Sequence, residues 1–446
     1  MPLDLDSLQV LASAVQKLDA GFSHLPGFTA RASGSEHAGE VLQALAEKLS
    51  DNYPYFHPLY AGQMLKPPHP IARLAYSLAM YINPNNHALD GGRATSTLEK
   101  EAVAEIAAMF GWKDFLGHLC GGGTMANLEA LWVAGQLHPG KTILASEQAH
   151  YTHSRISAVL QLPFEKIPCD ACGRMDVDAL AERVAKGNVG TVVATMGTTA
   201  TGSVDPLSEI LRLRERHTFR VHADAAYGGY FVLTASLAEH AQQSFARLGE
   251  ADSIVIDPHK HGLQPYGCGC VLFRDPAVGE LYKHDSPYTY FSSAELHLGE
   301  ISLECSRPGA GAAALWATQK LLPLQPGGEF AHGLELGREA ALKFYHAIKS
   351  GNDFVAAFEP ELDILVFVPR GDSLAEISAK SRNIFAAAAR ENLHLAVAEL
   401  PVKFWKHLCT DDAGQTVTSL RSVLMKPEHL DWVPQIVEIL QRIQNG

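Results

Sequence analysis

The chain has 446 residues, too many for one ordinary core and enough for a large domain beside a smaller one. Hydrophobic residues make up 47% and charged residues 19%, the composition of a globular protein, and a formal net charge of -13 argues against a nucleic-acid or anionic-membrane surface as partner. Seven cysteines, an odd number in a long chain, suit free thiols in a reducing compartment better than a disulfide framework, so the expected location is the cytoplasm.

The opening segment "MPLDLDSLQVLASAVQKLDAGF" repeats Leu8, Leu11, Val15 and Leu18 at helical spacing and lacks the basic flank and long apolar stretch of a signal peptide. No window approaches the ~20 apolar residues that span a bilayer. Residues 1–96 read as a helical arm that becomes irregular, with prolines at 54, 58, 67, 68, 70 and 84 interrupting any long element. Within it, "NPNNHALDGGRATS" offers Asn83, Asn86 and Arg93 as polar groups, although Arg93 fits an ion pair with Asp90 at a turn equally well.

From residue 97 to about 320, apolar strand-like runs alternate with longer helical patterns, the mark of an α/β domain with a parallel or mixed sheet covered by helices. "GGGTMANLEALWVAGQL" passes from glycines into a helix with Met125, Leu128 and Trp132 at core spacing. Backbone N–H groups at such a start can cradle a phosphate, with Thr124 adding a hydroxyl, but the run matches neither the P-loop nor the dinucleotide pattern. Next, "KTILASEQ" leads to His150 in "SEQAHYTHSRIS", where a lone histidine is most often a satisfied polar group. "CDAC", with Cys169 and Cys172, lacks a clear second pair and is a poor zinc signal, so no metal is expected.

"GTVVATMGTT" and "FRVHADAA" are further strands, the second ending at Asp224 among alanines and glycines that leave room for something flat. Read alone, Asp224 fits a helix N-cap or a structural ion pair as well as a functional carboxylate. "SIVIDPHKHGLQPYGCGCVLF" then delivers Lys260 to the mouth of an apolar strand, 36 residues after Asp224. After "LLPLQPGGEF", residues 321–446 read as a small α+β domain closed by a helix with Val433, Ile436, Leu440 and Ile443 on one face.

A phosphate cradle, a strand-end aspartate, a histidine and a lysine in this order are the parts that hold pyridoxal phosphate. The lysine amine condenses with the cofactor aldehyde, and the aspartate keeps the pyridine nitrogen protonated so that the ring can accept electrons. "HPLYAGQML…NPNNHALDGGRATSTLEKE", "GGTMANLEAL", "VVATMGTTATGSVDPL", "HADAAYGG" and "DPHK" carry a specific likeness over roughly residues 50–320, echoed by "LRSVLMKP" near the C-terminus. In these the chain resembles the group II pyridoxal-phosphate amino-acid decarboxylases, of fold type I (aspartate aminotransferase-like). The run "SRPGA" at Arg307 is closer to the related sphingosine-phosphate lyases and archaeal tyrosine decarboxylases, which keeps carbon–carbon lyase chemistry and aromatic substrates as alternatives.

The resemblance implies Lys260 as the cofactor-linked lysine, Asp224 as partner of the ring nitrogen, and His150 and Ala226 on opposite faces of the ring. Gly123, Thr124 and His259 would hold the phosphate. Thr198 would lie near the cofactor oxygen or the substrate carboxylate, and Asn83, Asn86, Arg93 and Arg307 near the substrate. It further implies loss of carbon dioxide from an amino acid, with a small acidic substrate favoured by the polar "NPNNHALDGGRATS" stretch. The α-carbon proton would come from "HDSPYTYFSSAELHLGE", with His297 first and Tyr290 or Tyr288 as alternatives. Each site would be completed by a neighbouring subunit in a homodimer, across an interface beyond about 2,000 Å².

Overall fold

A computed structural model describes residues 5–29, 37–87, 89–283, 298–405 and 415–445. Seven strands build the larger sheet: β1 (Leu116–Cys120), β2 (Thr142–Ser146), β3 (Phe164–Ile167), β4 (Val189–Thr195), β5 (Arg220–Asp224), β6 (Ser253–Ile256) and β7 (Gly269–Phe273). Their order is β1-β7-β6-β5-β4-β2-β3, parallel except where β7 runs against β1 and β6. Strand β4, "VGTVVAT", is buried along its whole length, as expected of a strand covered by helices on both faces. This is the mixed α/β sheet that the alternating pattern predicts.

A second sheet, of β8 (Phe354–Ala356), β9 (Ile364–Pro369), β10 (Ala396–Pro401) and β11 (Thr416–Val423), is antiparallel in the order β10-β11-β9-β8. The closing helix His429–Asn445 lays Val433, Ile436 and Leu440 into its core with Phe344 and Phe367. Residues 57–66 run beside this sheet: Tyr60 bridges His394, and the Ala61 carbonyl accepts from the Val423 N–H.

At the N-terminal end, α1 (Leu5–Ala20) and α2 (Ala38–Leu49) precede α3 (Pro70–Met80) and α4 (Leu89–Met109). Helix α2 buries none of its residues and exposes Val41, Leu42, Leu45 and Leu49 on one side. Among the described residues, no helix is long and apolar enough to cross a membrane.

Two local readings change. Helix α5 (Gly123–Leu137) does not bury the Met125, Leu128, Trp132 face alone. Ala126, Ala130, Leu131, Val133 and Ala134 are its buried apolar residues, because it is wedged between the sheet and the next helix, while Met125 and Leu128 turn to a cavity. The glycines after Asp224 do not open space for a ligand either. They admit backbone: a Cβ on Gly228 would stand 1.9 Å from the Met196 carbonyl oxygen, and one on Gly229 would meet the Ile256 side chain at 2.7 Å. Gly228→Ala should therefore cost roughly 3 kcal/mol by overpacking, read as a lower urea midpoint with an unchanged slope.

Candidate active site

The carboxyl ends of β2, β4, β5 and β6 point to one side of the sheet, where the glycine turn after β1 also arrives. In open α/β sheets such strand mouths collect ligands. A cavity of about 460 Å³ opens there, lined by Gly121–Thr124 at the start of α5, His150, Thr152, Thr195, Thr199, Asp224, Ala226, Asp257, His259 and Lys260. The structure thus gathers Gly123, Thr124, His150, Asp224, Ala226, His259 and Lys260 from four separate stretches of chain.

The Lys260 ammonium lies 3.0 Å from Asp257 Oδ2, and its side chain is 21% exposed. Asp257 and Lys260 are one turn apart, and the Lys260 N–H donates to the Asp257 carbonyl, so the DPHK turn aims both side chains inward. Asp224 is 5% exposed. Its Oδ1 accepts from the Ala226 N–H at 3.2 Å, and its Oδ2 lies 2.7 Å from His153 Nε2. Burial alone would raise the Asp224 pKa, but the hydrogen bond with His153, aided by the charge of Lys260, outweighs it and holds the carboxyl well below the usual range. Asp224 is therefore an anion at neutral pH.

The surrounding imidazoles are neutral. Burial lowers the pKa of His150, with Asp224 acting in opposition, and it lowers that of His259 as well. His222, beside Asp224 on β5, is pushed down to about 3, chiefly by burial. It bonds Ser253 Oγ at 2.9 Å and Asn127 Oδ1 at 2.8 Å.

Several groups fall outside the cavity lining. Thr198 is buried, its hydroxyl 2.8 Å from Thr201 Oγ1, and its neighbours Gly197 and Thr199 line the cavity instead. Arg307 lines a second cavity of about 290 Å³; its Nη1 meets Glu99 at 2.9 Å and the Leu119 carbonyl, while Nε and Nη2 are buried without hydrogen-bond partners among the described residues. Asn86 is buried and donates to Glu99 at 2.6 Å. Asn83 and Arg93 are exposed. His297, Tyr290 and Tyr288 lie outside the described residues. Cys169 donates to Glu147 at 3.0 Å, and burial followed by that carboxylate pushes its thiol up to about 12.

Four residues went unnoticed in the sequence. Asp257 sits inside a quoted motif. Thr195 ends a strand at the cavity. His153 follows His150 by three residues, and its N–H donates to the His150 carbonyl across the turn that opens the next helix. Arg421 on β11 is 4% exposed, and its guanidinium donates to the carbonyls of Thr199, Ala200 and Gly62. Nothing in local spacing announces it.

The donor set fits pyridoxal phosphate. Thr195 Oγ1, Asp257 Oδ1 and His259 Nδ1 are buried without hydrogen-bond partners among the described residues. Gly122, at φ 137°, opens α5 onto the cavity, and a Cβ there would meet the His259 ring at 3.1 Å. A helix N-terminus suits a phosphate, and a buried anion suits a protonated ring nitrogen.

Comparison with known proteins agrees. Residues 128–369 match the family model "Pyridoxal-dependent decarboxylase conserved domain". This chain belongs to the pyridoxal-dependent decarboxylases. A probable L-tyrosine/L-aspartate decarboxylase of Methanothermobacter thermautotrophicus is 30% identical over 316 residues, 69% of this chain and 82% of that protein. The L-tyrosine decarboxylase of Enterococcus faecium is 29% identical over 412 residues, covering 69% and 67% of the two chains. The fold matches the crystal structure of Oryza sativa TDC with PLP and tryptamine at a TM-score of 0.78 or better, namely 0.79, with 17% identity and coverage of 100% and 99%. As a family member, this decarboxylase is a carboxy-lyase that uses pyridoxal phosphate to remove carbon dioxide from an amino acid.

Burial of neutral His222 has a consequence for stability. Its folded pKa lies below its unfolded value of 6.5, so the unfolded chain takes the proton first and the native state loses stability as pH falls from 6.5 towards about 3. By pH 5 this group alone should account for about 2 kcal/mol. Urea midpoints at pH 7 and pH 5 should accordingly separate less in His222→Gln than in the unaltered protein.

Proposed function

We propose that this decarboxylase acts on a short acidic L-amino acid, with aspartate first, and that it does so as a cytoplasmic homodimer. The observation that carries the catalytic reading is the meeting of the Lys260 amine and the Asp224 anion in one cavity beneath the start of α5. When bound, pyridoxal phosphate supplies an aldehyde for amine exchange and a ring that accepts the electrons left by carbon dioxide.

The protein's own groups then divide the work. Lys260 provides the attaching amine, and Asp257 at 3.0 Å holds that amine in place. Asp224 keeps a proton on the ring nitrogen, a stabilisation that grows as charge develops. His150, uncharged, and Ala226 flank the ring, and a neutral face avoids adding a cation beside an electron-accepting ring. The N–H groups at Gly123 and Thr124, with His259, take the phosphate. Arg421 donates to carbonyls and has no carboxylate within ion-pair distance among the described residues, so its charge favours a substrate carboxylate at the adjoining Thr199. The proton returned to the α-carbon is assigned to His297, with Tyr290 next.

The acidic preference rests on the lining: its aromatic groups are histidines and Tyr227, whose hydroxyl is committed to Asp363 at 2.5 Å. The relatives named for tyrosine keep an aromatic substrate as the competing reading. Arg93 and Asn83, exposed and outside the cavity lining of their own chain, would serve the neighbouring subunit's site. The apolar stripe of α2 gives such a dimer a face to bury.

Borohydride reduction of the holoenzyme and peptide mapping should place the cofactor on Lys260; an adduct on another lysine would remove the assignment. For the substrate, carbon dioxide release should favour aspartate over tyrosine, and Arg93→Met should reverse that preference. Mixing Arg93→Met with Lys260→Ala should restore about one quarter of the sites by random pairing of subunits, whereas unrestored aspartate turnover would count against a site shared across the dimer.

A further inference from the structure

Asp224 is the buried charge on which the proposed chemistry turns, yet no arginine or lysine lies within ion-pair distance of it among the described residues. Its close partner is His153, in the first turn of α6 (Thr152–Val159), with Nε2 2.7 Å from Oδ2. Both side chains are buried, at 1% and 6% exposure. His153 Nδ1 is also buried and has no hydrogen-bond partner among the described residues. A proton on Nδ1 would be an unsatisfied buried donor, whereas a proton on Nε2 is donated to a carboxylate. The environment therefore selects one tautomer, with Nε2–H towards Asp224 and Nδ1 bare.

We propose that His153 is a positioning residue for the cofactor: its Nε2–H fixes Asp224 Oδ2, and this leaves Oδ1, held by the Ala226 N–H, to serve the ring nitrogen. The inference rests on the reading of Asp224 given above and extends it to a second histidine of the His150 segment. Rotation of the Asp224 carboxyl is blocked from both ends, by an imidazole on one oxygen and a backbone N–H on the other. A charge-assisted bond of this kind also favours the ionised carboxylate. The other groups facing the pair are His222, its ring centre 6.3 Å from that of His153, and His150, Lys260 and Asp257 across the cavity. Of these, His222 and His150 have lowered pKa values by burial, so neither supplies a competing cation at neutral pH.

His153→Phe keeps an aromatic ring and removes the donor, while His153→Gln keeps an N–H donor without the ring. The first readout is the affinity of the apo-protein for pyridoxal phosphate, measured by fluorescence. The second is the pH at which the visible band of the holoenzyme changes. His153→Phe should bind the cofactor roughly ten-fold or more weakly, the scale of a lost hydrogen bond to a charged group, and should move the spectral transition to higher pH. His153→Gln should return both towards the unaltered protein. A merely structural role would lower the melting temperature of the two variants alike and move neither spectrum.

Because His153→Phe could fail to fold, the unaltered protein gives an independent measurement. Nitrogen-15 spectra of its histidines, with His153 assigned by its loss in His153→Gln, should show the proton on Nε2. A proton on Nδ1, unchanged affinity and spectrum in His153→Phe, or a His153→Gln protein no better than His153→Phe would each overturn the proposal. The borohydride map of the unaltered holoenzyme is run beside these. An adduct away from Lys260 would fail the wider reading of the site, and a Lys260 adduct with unmoved spectra would fail the role of His153 alone.

Discussion

The arrangement of this protein follows from keeping one carboxylate charged where water hardly reaches it. Asp224 ends β5 between β4 and β6, and a solitary ion there would ordinarily shed its charge by taking up a proton. It stays ionised because a hydrogen-bond donor meets it from α6 and a backbone N–H from the following turn. Both depend on packing. The turn after Asp224 closes only because Gly228 lets Met196 approach, and α6 is set in place by its buried Ile156 and Ser157.

Around that anion the other titratable groups are kept from adding charge of their own. His150, His222 and His259 are neutral through burial, so the Asp224 field falls chiefly on the Lys260 side of the cavity and on what binds there. Lys260 has its own carboxylate, Asp257, one turn away. An ammonium and a carboxylate at that distance form an ion pair, which holds the amine at the cavity wall. The two carboxylates thus have separate partners: Asp224 is held by an imidazole and a backbone N–H, and Asp257 by an amine.

The second sheet reaches the same site through buried polar bridges. Arg421 of β11 grips the carbonyls of Thr199 and Ala200, and Asp363, just before β9, accepts from Tyr227 while lying 3.3 Å from His261. Burial raises the Asp363 carboxyl to about 6, so its bond to Tyr227 is sensitive to pH near neutrality. Beside the glycine turn, Glu99 accepts from both Arg307 and Asn86. The Arg421–Thr199 and Arg307–Glu99 contacts join residues 222 and 208 positions apart, and Tyr227–Asp363 spans 136.

The alternating strands, the lysine after an apolar run and the aspartate at a strand end were all legible in the residues, because period and strand-end chemistry are local properties. So was the cradle at the start of α5, since the glycines that permit its backbone are adjacent in the chain. His153 was half legible: its spacing from His150 is visible, but only the fold brings Asp224 to it. Thr198 and Thr199 show the limit clearly. They are adjacent and chemically identical, and which of them faces the cavity is set by the hydroxyl contacts of Thr201 and Ser203 inside the loop. Arg307 and Arg421 differ in the same way. Each is an arginine in an apolar stretch, but one is neutralised by Glu99 and the other is surrounded by carbonyls, because a side chain's charge partners come from distant strands. The sequence by itself determined the kinds of chemistry and the sheet that carries them; the tertiary structure decided which side chains share a cavity and which are spent on one another, since burial and pairing are properties of neighbours in space.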